Sequence, residues 1–402
     1  MSDLLQAFFA PESVAVVGAS RNERGLGHTV LRNILDFGFP GRVYPVNPKA
    51  DYILGLKVFP NLTAIPDKVD LIVVVVPQPL VADVIREAAE KGVKGAVVIS
   101  AGFREVGPEG LQAEQEITSI ARAGGIRILG PNILGIIDTK SRLNATFAYA
   151  QPEEGGIAFV SQSGALLTAI LDWAVNERVG FSKIVSLGNK ADITEVDMFR
   201  ALRDDADSRV VVAYLEGVTN GAAFREAATA LTKAKPLVIV KSGGTAAGSR
   251  AVSSHTGSLA GSEAAYDAAF KQSGVLRATT MQDLFDISLA FAYQPLPAGR
   301  RLAIGHSRHR CLRAKRSRAR QLLGRDDREA PRQPAEGGER VQPDRRHRRR
   351  RGRSLRSLDR GGAGRPQRRR AAGASHAAGD DGDREDRRGD REGRPQRGEA
   401  GA

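Results

Sequence analysis

Short runs of apolar, largely β-branched residues alternate with amphipathic stretches from residue 14 to residue 304, and this alternation limits the possible fold more than any other feature. The runs are apolar throughout rather than at every second position, which is typical of parallel strands covered on both faces of a sheet. The stretches between them have apolar residues at helical spacing. The chain is therefore predicted to be an α/β protein built on doubly wound parallel sheets.

The predicted strands form two series. The first series comprises residues 14–17, 42–46, 71–76, 95–100 and 126–129, and the second comprises 157–160, 183–187, 210–215 and 236–241. The predicted helices are residues 79–91, 108–123, 165–177, 222–234 and 262–273. Two series indicate two domains, which we place at residues 8–150 and 151–300, with the seam in the stretch 149–156 that Pro and Gly interrupt.

Residues 305–402 have a different composition. They contain 30 Lys and Arg against 15 Asp and Glu, whereas residues 1–304 contain 30 against 31, so the net charge of +14 comes from this segment. The segment lacks Phe, Tyr, Trp, Ile and Met, so we expect it to be disordered. The abrupt change after Ile304 suggests an out-of-frame reading. An arginine-rich RNA-binding arm is the alternative, but without stacking aromatic residues nucleic acid is not the expected partner.

The sequence also argues against several locations and kinds of site. Cys311, the sole cysteine, lies in the arginine-rich segment, so residues 1–304 offer no disulfide, zinc cluster or thiol nucleophile, and we predict no metal site. The amino terminus lacks the basic region and the cleavage site of a signal peptide. The longest apolar run, residues 71–76, is too short to span a membrane. We expect a soluble, cytoplasmic protein.

Ligands of open parallel sheets bind beyond the carboxyl ends of the strands, so the first candidate site is the pair of loops after the first two strands. The first loop contains glycines and leads into a helix whose free N–H groups could face a phosphate. Its spacing differs from G-x-G-x-x-G, and no acid that could bind a ribose ends the second strand, so a phosphate-bearing ligand other than NAD is predicted. The candidate residues are Gly18, Ala19, Ser20, Asn47, Pro48 and Lys49.

Three further loops follow strands of the first series and expose backbone or small polar groups. Their candidate residues are Val76, Pro77, Gln78, Ser100, Ala101, Gly102, Gly130, Pro131 and Asn132. For any one of these loops a plain turn is the simpler interpretation, because Gly, Pro and Asn dominate turns for local reasons. All of them are expected at the same edge of the sheet, which favours a shared ligand site.

The second predicted domain opens with a strand, a short Ser/Gly turn and a helix. This arrangement directs N–H donors and the positive end of the helix dipole into a small, open loop, which could hold a phosphoryl group. A helix N-cap at Ser163 is the simpler interpretation and is compatible with an anion site. The candidate residues are Ser161, Gln162, Ser163 and Gly164.

His255 lies in a Gly-, Ser- and Ala-rich loop after the strand at residues 236–241, with no core to join. A solvent-exposed histidine without a role is one interpretation. The other is nucleophilic catalysis, in which a neutral ring nitrogen attacks a phosphoryl group and carries it covalently. Glu216, just after the strand at residues 210–215, could orient the ring, and the helix start near Ser163 could favour the added negative charge.

The motifs VGAS, PVNP, SAGF, GPNILG, SQSGAL, SLGNKADI and YLEG, together with KSGGTAAG and SSHTGSLAG, resemble those of the NDP-forming acyl-CoA synthetases, relatives of the succinyl-CoA synthetase alpha subunit. They cover nearly all of residues 8–304. The resemblance implies a Rossmann-like CoA-binding domain followed by a flavodoxin-like, succinyl-CoA synthetase-like domain. It implies that His255 carries phosphate between an acyl phosphate and ADP, with Glu216 as the carboxylate that stabilises the phosphohistidine.

The resemblance also implies a reaction: acid, CoA and ATP form acyl-CoA, ADP and phosphate, reversibly, with magnesium at the nucleotide. Two departures from the family pattern stand out. Ile133 occupies a position where the family commonly has Cys, and no third flavodoxin-like domain or ATP-grasp module follows Ile304. We therefore expect ATP, ADP and Mg²⁺ to bind through an ATP-grasp subunit or domain, and we expect an oligomer that acts on a small carboxylic acid.

Two alternatives belong to other classes. A catalytically silent module that senses CoA or acyl-CoA could use the same two domains, but such a module would not need His255 or Glu216. A nicotinamide oxidoreductase is disfavoured by the missing ribose-binding acid and the missing catalytic base.

Overall fold

The computed structural model describes residues 3–243, 263–295 and 299. These residues belong to one compact unit, Met1–Asp326, and the second unit, Asp327–Ala402, lies outside the described residues. The histidine at position 255 and the arginine-rich segment 305–402 also lie outside the described residues. Within the described part of the chain, no helix is both long and apolar enough to cross a membrane.

The first sheet has five parallel strands in the order β2-β1-β5-β6-β7. They are β1 (Ser13–Val17), β2 (Arg42–Val46), β5 (Leu71–Val74), β6 (Gly95–Val98) and β7 (Arg127–Leu129). The helices of this part are α1 (Asp3–Phe9), α2 (Leu26–Asp36), α3 (Val81–Lys91) and α4 (Pro108–Ala123), and a small hairpin consists of β3 (Tyr52–Ile53) and β4 (Leu56–Lys57). Every residue of β1, β5 and β6 is buried, which explains why these runs are apolar throughout.

The second sheet has seven strands in the order β14-β13-β12-β10-β11-β8-β9. Its parallel part consists of β10 (Glu154–Ser161), β11 (Phe181–Ser186), β12 (Val210–Leu215), β13 (Leu237–Lys241) and β14 (Leu276–Ala278). Its helices are α5 (Gly164–Glu177), α6 (Glu195–Arg203), α7 (Gly221–Ala234), α8 (Glu263–Gln272) and α9 (Met281–Tyr293). A parallel sheet and a largely parallel sheet, each with helices, confirm the predicted α/β class.

An antiparallel hairpin completes the second sheet at one edge. It consists of β8 (Gly135–Asp138) and β9 (Leu143–Thr146), and β8 pairs with β11. Both strands precede the predicted seam at residues 149–156, yet they belong to the larger sheet. From the other side, the Asn33 side chain of α2 donates hydrogen bonds to the carbonyl oxygens of Thr146 and Ala148, at 2.8 and 2.7 Å. The hairpin therefore joins the two halves of the fold.

The nine strands predicted from apolar runs all occur, with ends displaced by up to three residues. The 79–91 helix begins as a single 3₁₀ turn at Gln78–Leu80 before α3. The hairpin β8–β9 and the strand β14 were not predicted, because neither is a continuous apolar run in the sequence. The helices α6 and α9 were also missed.

Candidate functional site

A cleft of about 1120 Å³ opens at the carboxyl ends of the parallel strands of both sheets. Its walls include loops after β1, β5 and β6 on one side and loops after β10, β11 and β12 on the other. The starts of α2 and α5 also line it. This is the position where open α/β sheets bind ligands. The cleft is larger than the usual range for small-ligand pockets, about 300–1,000 Å³.

The structure brings many of the predicted site residues to this cleft. Those that line it are Gly18, Ser20, Val76, Pro77, Ser100, Ala101, Asn132, Gln162, Ser163, Gly164 and Glu216. Those that do not line it are Ala19, Asn47, Pro48, Lys49, Gln78, Gly102, Gly130, Pro131 and Ser161. His255 lies outside the described residues. Loops that are more than a hundred residues apart in sequence thus share one cavity.

Two glycines shape the wall at the start of α2. Gly18 has a φ of +93°, and a Cβ there would lie 2.4 Å from the carbonyl oxygen of Val75. A Cβ on Gly27 would lie 2.0 Å from the carbonyl oxygen of Gly18, so the helix start packs directly on the loop backbone. The N-cap residue of α2 is Gly25, so no side chain caps the first N–H groups of the helix. The first turn of α2 also contains no acidic residue. This helix start can accept an anion.

Asn47 stands behind this wall. Its side-chain amide donates to the carbonyl oxygen of Ala19 at 2.6 Å, and its side-chain oxygen accepts the N–H of Lys49 at 2.8 Å. The side chain therefore fixes the loop after β1 against the loop after β2. This contact holds the wall in shape without lining the cleft.

The loop after β6 is held by a carboxylate that sequence reasoning did not single out. One oxygen of Glu105 accepts the N–H groups of Gly102 and Phe103, at 2.6 and 3.1 Å. The other oxygen accepts the side-chain amide of Asn189 at 2.6 Å. Burial acts to raise the pKa of Glu105, but these hydrogen bonds outweigh it and lower the pKa below the ordinary value of 4.5. Glu105 is therefore held as a carboxylate.

On the opposite wall, α5 begins at the cleft. Ser163 caps the helix by accepting the N–H of Leu166 at 3.3 Å, while Gly164 and Ala165 of the first turn line the cavity. The first turn contains no acidic residue. The Ser161 hydroxyl is buried and bonds within the turn, accepting from the N–H of Ser163 and donating to its carbonyl oxygen. The capping role of Ser163 is therefore observed, and the anion site at this turn stays a prediction.

Glu216 lies at the cleft with only 9% of its surface exposed. Gln162 supports the turn that carries it: its side-chain oxygen accepts the N–H groups of Glu216 and Gly217, at 2.8 and 3.0 Å. The Gln162 amide nitrogen donates to the Gly217 carbonyl oxygen at 2.9 Å and to Glu195 at 3.3 Å. The polar atoms of Gln162 are thus engaged by the protein itself.

A lysine that the sequence did not predict completes this cluster. The Lys190 ammonium donates to the Gly217 carbonyl oxygen at 2.8 Å and to the Glu195 carboxylate at 3.1 Å. The Glu195 side chain is 1% exposed and that of Lys190 is 12% exposed. The one signal available was the polar motif SLGNKADI directly after a predicted strand. Nothing in its spacing separates such a motif from an ordinary turn.

Further charge lies behind Glu216. Burial lowers the pKa of the Lys241 ammonium, and Arg277 acts in the same direction, while Glu216 opposes both. Lys241 also lies over the ring of Tyr266, 4.7 Å from its centre. The Tyr266 hydroxyl accepts the N–H of Val218 at 3.1 Å. The Glu216–Val218 turn is therefore held from several sides.

The site as a whole combines two helix starts with a buried carboxylate. Such an arrangement can bind phosphate groups and can orient a basic ring nitrogen. Among the described residues, no group of three or more His, Cys, Asp or Glu side chains could hold a metal ion.

Two family models match the chain. One, described as a CoA binding domain, covers residues 12–139, and the other, described as a succinyl-CoA ligase like flavodoxin domain, covers residues 154–291. The alpha subunit of acetate–CoA ligase [ADP-forming] I from Pyrococcus furiosus is 44% identical over 304 residues, which are 75% of this chain and 66% of that subunit. The 4-hydroxybutyrate–CoA ligase [ADP-forming] of Nitrosopumilus maritimus is 42% identical over 73% of this chain and 43% of that enzyme.

A solved structure is similar to the whole described fold. The dinucleotide forming acetyl-coenzyme A synthetase 1 of Ca. Korarchaeum cryptofilum, in complex with phosphate and ADP, matches with a TM-score of 0.71 and 45% identity. The match covers 73% of this chain and 64% of that chain. This chain spans just under two thirds of the P. furiosus subunit and less than half of the longer ligase. On these matches, the chain belongs to the family of ADP-forming acyl-CoA synthetases of the acetate–CoA ligase type.

Proposed function

We propose that this chain is the CoA-binding and phosphohistidine-bearing part of an ADP-forming acyl-CoA synthetase. The overall reaction is acid, CoA and ATP to acyl-CoA, ADP and phosphate, in either direction. One observation carries the proposal: a single cleft is lined by the loops of the CoA-binding half and by the carboxylate of Glu216 in the flavodoxin-like half. The acyl group on CoA and the phosphate that replaces it could therefore meet in one cavity.

The residues of the first wall fit CoA. The start of α2 has no acidic residue that would repel a pyrophosphate, and Gly18 and Gly27 allow the loop after β1, the loop after β5 and this helix start to pack closely together. Ser20, Val76, Pro77, Ser100, Ala101 and Asn132 line the rest of that wall. In this proposal Asn47 supports the wall from behind, and Ser163 and Gly164 present the start of α5 to phosphate.

The chemistry assigned to the chain has two steps, here written toward ATP. A phosphate oxygen attacks the thioester carbonyl carbon, the C–S bond breaks, and the sulfur leaves with the electron pair and takes up the proton that the phosphate releases. A neutral ring nitrogen of His255 then attacks the phosphorus of the acyl phosphate, and the carboxylate leaves with the electrons of the P–O bond. Glu216 accepts a hydrogen bond from the other ring nitrogen and favours the cationic ring.

Transfer to ADP then breaks the P–N bond and returns its electrons to the ring. We assign nucleotide and magnesium to an ATP-grasp subunit or domain, because the described residues of this chain offer no metal-binding cluster. The cytoplasm as location and an oligomer with that partner belong to the same proposal. Relatives are named for acetate, for 4-hydroxybutyrate and for trans-feruloyl-CoA. We propose a carboxylic acid as the substrate class, and a small one on the first two names.

Labelling from γ-³²P-ATP, with an ATP-grasp partner supplied separately, tests the nucleophile. We expect the wild-type chain to acquire acid-labile, base-stable label at one residue, which is the behaviour of a phosphoimidazole. His255→Ala should abolish the label. His306→Ala, which removes another histidine of the same chain, should leave it unchanged. Label that persists in His255→Ala would overturn the assignment, and an unlabelled wild type that still binds CoA would favour the sensor alternative.

A further inference from the structure

We propose that Asn189 and Lys190 form a two-sided positioning element for the acyl-transfer step. Asn189 would fix the CoA loop, residues 100–105, and Lys190 would fix the Glu216–Gly217 turn. This inference rests on the proposed function, because it concerns the distance between the two walls of the same cleft.

Asn189 is directed toward the first half of the fold. Its amide nitrogen donates to Glu105 at 2.6 Å and to Glu114 at 2.9 Å. Glu114 is 2% exposed and also accepts from the Arg104 side chain at 2.5 Å. The Asn189 side-chain oxygen faces the amide of Asn132 at 3.4 Å. One side chain of the second half thus contacts both carboxylates that hold the loop after β6.

Lys190, the next residue, is directed toward the second half. Its ammonium bonds to the Gly217 carbonyl oxygen and to buried Glu195, and Gln162 bonds to the same two groups. Removal of the ammonium would leave Glu195 without its opposite charge in a buried position. The Glu216–Gly217 turn would then lose the hydrogen bond from Lys190 to the Gly217 carbonyl oxygen. Of these two side chains, only Gln162 would still hold the turn.

The backbone shows why two adjacent side chains can serve opposite walls. Lys190 has a φ of +57°, a left-handed conformation that a lysine adopts at a cost. Gly188, two residues before Lys190, lies so close to the first half that a Cβ would be 2.4 Å from the carbonyl oxygens of Pro131 and Asn132. The Asn189 N–H donates to Pro131 at 3.0 Å. The segment therefore cannot slide without breaking contacts on both sides.

The two residues are expected to affect the two half-reactions differently. Acyl transfer needs the CoA sulfur and the phosphate at the α5 start to be in register, and a misplacement of about 1 Å can cost roughly 100-fold in rate. Phosphoryl exchange with nucleotide needs no contact with the CoA loop. A change at Asn189 should therefore slow acyl transfer and spare phosphoryl exchange. A change at Lys190 should slow both, because Lys190 holds the Glu216–Gly217 turn and Glu216 orients the ring of His255 in the proposed phosphoryl step.

The test measures both half-reactions on the full chain with an ATP-grasp partner. One assay follows label from ³²P-phosphate into the chain in the presence of acetyl-CoA, and the other follows label from γ-³²P-ATP. Asn189→Leu and Lys190→Met keep side-chain size and remove the donors. We expect Asn189→Leu to lower the initial rate of the first assay by roughly tenfold or more and to change the second by less than about twofold. We expect Lys190→Met to lower the rates of both assays. Lys190→Arg should recover part of the loss.

A matched control removes a different contact of the segment that contains Asn189 and Lys190. Arg127 of β7 bonds to Asp192 at 2.6 Å, which is another contact between the two halves, and neither residue lines the cleft. Arg127→Leu should lower thermal stability and leave the ratio of the two half-reactions unchanged. CoA binding by calorimetry gives a second readout, which should weaken in Asn189→Leu and stay within about twofold in Lys190→Met.

The outcomes separate the two proposals. If the wild-type chain shows neither half-reaction, the proposed function fails. If the wild type shows both and Asn189→Leu loses both equally, if Lys190→Met changes neither, or if Arg127→Leu shifts their ratio as Asn189→Leu does, the positioning role is wrong.

Discussion

Glu105 shows how a carboxylate can shape a ligand loop without acting on the ligand. Its oxygens are occupied by the N–H groups of Gly102 and Phe103 and by the amide of Asn189. These contacts lower its pKa despite burial, so the folded chain favours the ionised form. A carboxylate held in this way is a weak base, and its role is to fix the loop.

The sign of the pH dependence follows from that shift. Because the folded-state pKa lies below the ordinary 4.5, the stabilisation by Glu105 is fully present above that pH and is lost as the pH falls through the lowered value. Glu105→Gln should reduce the free energy of unfolding at pH 7 by about 1 kcal/mol, after allowance for partial exposure to solvent.

Urea unfolding between pH 3 and pH 7 measures this effect. The difference between wild type and Glu105→Gln should shrink as the pH falls below 4.5. Glu90→Gln, an exposed substitution on α3, serves as the control and should stay within about 0.5 kcal/mol of wild type throughout. A constant difference across this range would refute the assignment.

At the scale of the residue, the position of Glu216 could be predicted from the sequence, while its catalytic role stays a prediction. Glu216 was predicted because it is an acid directly after a buried strand, and it does line the cleft. Asn189 and Lys190 could not be predicted, since their partners are up to 84 residues away in sequence and belong to several different loops. Gln162 was predicted as a phosphate ligand, and its contacts with the Glu216–Gly217 turn were not foreseen.

At the scale of the element, the start of α5 is the feature that can be tested without any partner. Ala165 is the second residue of the helix, is exposed and lines the cleft. An acid at such a position suits the helix dipole and stabilises a helix by about 0.3–1 kcal/mol, but it would repel a bound phosphate. Ala165→Asp should therefore fold normally and lose phosphate binding.

Thermal unfolding with and without millimolar inorganic phosphate provides the measurement. Phosphate should raise the transition temperature of the wild type and fail to do so in Ala165→Asp. Ala222→Asp makes the same change at the second residue of α7, which is also exposed but does not line the cleft, and should respond like wild type. An equal response in all three proteins would show that phosphate does not bind at α5.

Elements differed in how well the sequence predicted them, and burial explains the difference. The parallel strands were predictable because both faces are covered, so every position is apolar. The hairpin β8–β9 was not, because its strands, GIID and LNAT, contain buried polar residues whose bonds form only in the folded protein. Asp138, for example, lies 3.2 Å from the buried Lys183 of β11.

At the scale of the whole molecule, this hairpin makes the two halves difficult to separate. The linker around Tyr149 is exposed, with Tyr149 itself at 81%. A single cleavage between residues 150 and 151, at an inserted protease site, should nevertheless leave the two pieces associated. The pairing of β8 with β11 and the bonds from Asn33 to the end of β9 would both persist.

Size-exclusion chromatography of the cleaved protein checks this expectation. The two pieces should elute together in buffer and separate in 6 M guanidinium chloride, and circular dichroism should be unchanged by cleavage. Separation in plain buffer would mean that the hairpin contributes little to cohesion.

The same hairpin imposes an order on biosynthesis. A nascent chain that grows from its amino terminus completes all five strands of the first sheet before β8 leaves the ribosome. The hairpin must then wait until Phe181–Ser186 has been made, because β11 supplies the strand edge that it pairs with. Asp138 and Asn144, which are buried in the folded protein, stay in water during that interval. The hairpin is therefore expected to reach its final structure only after β11 has been made.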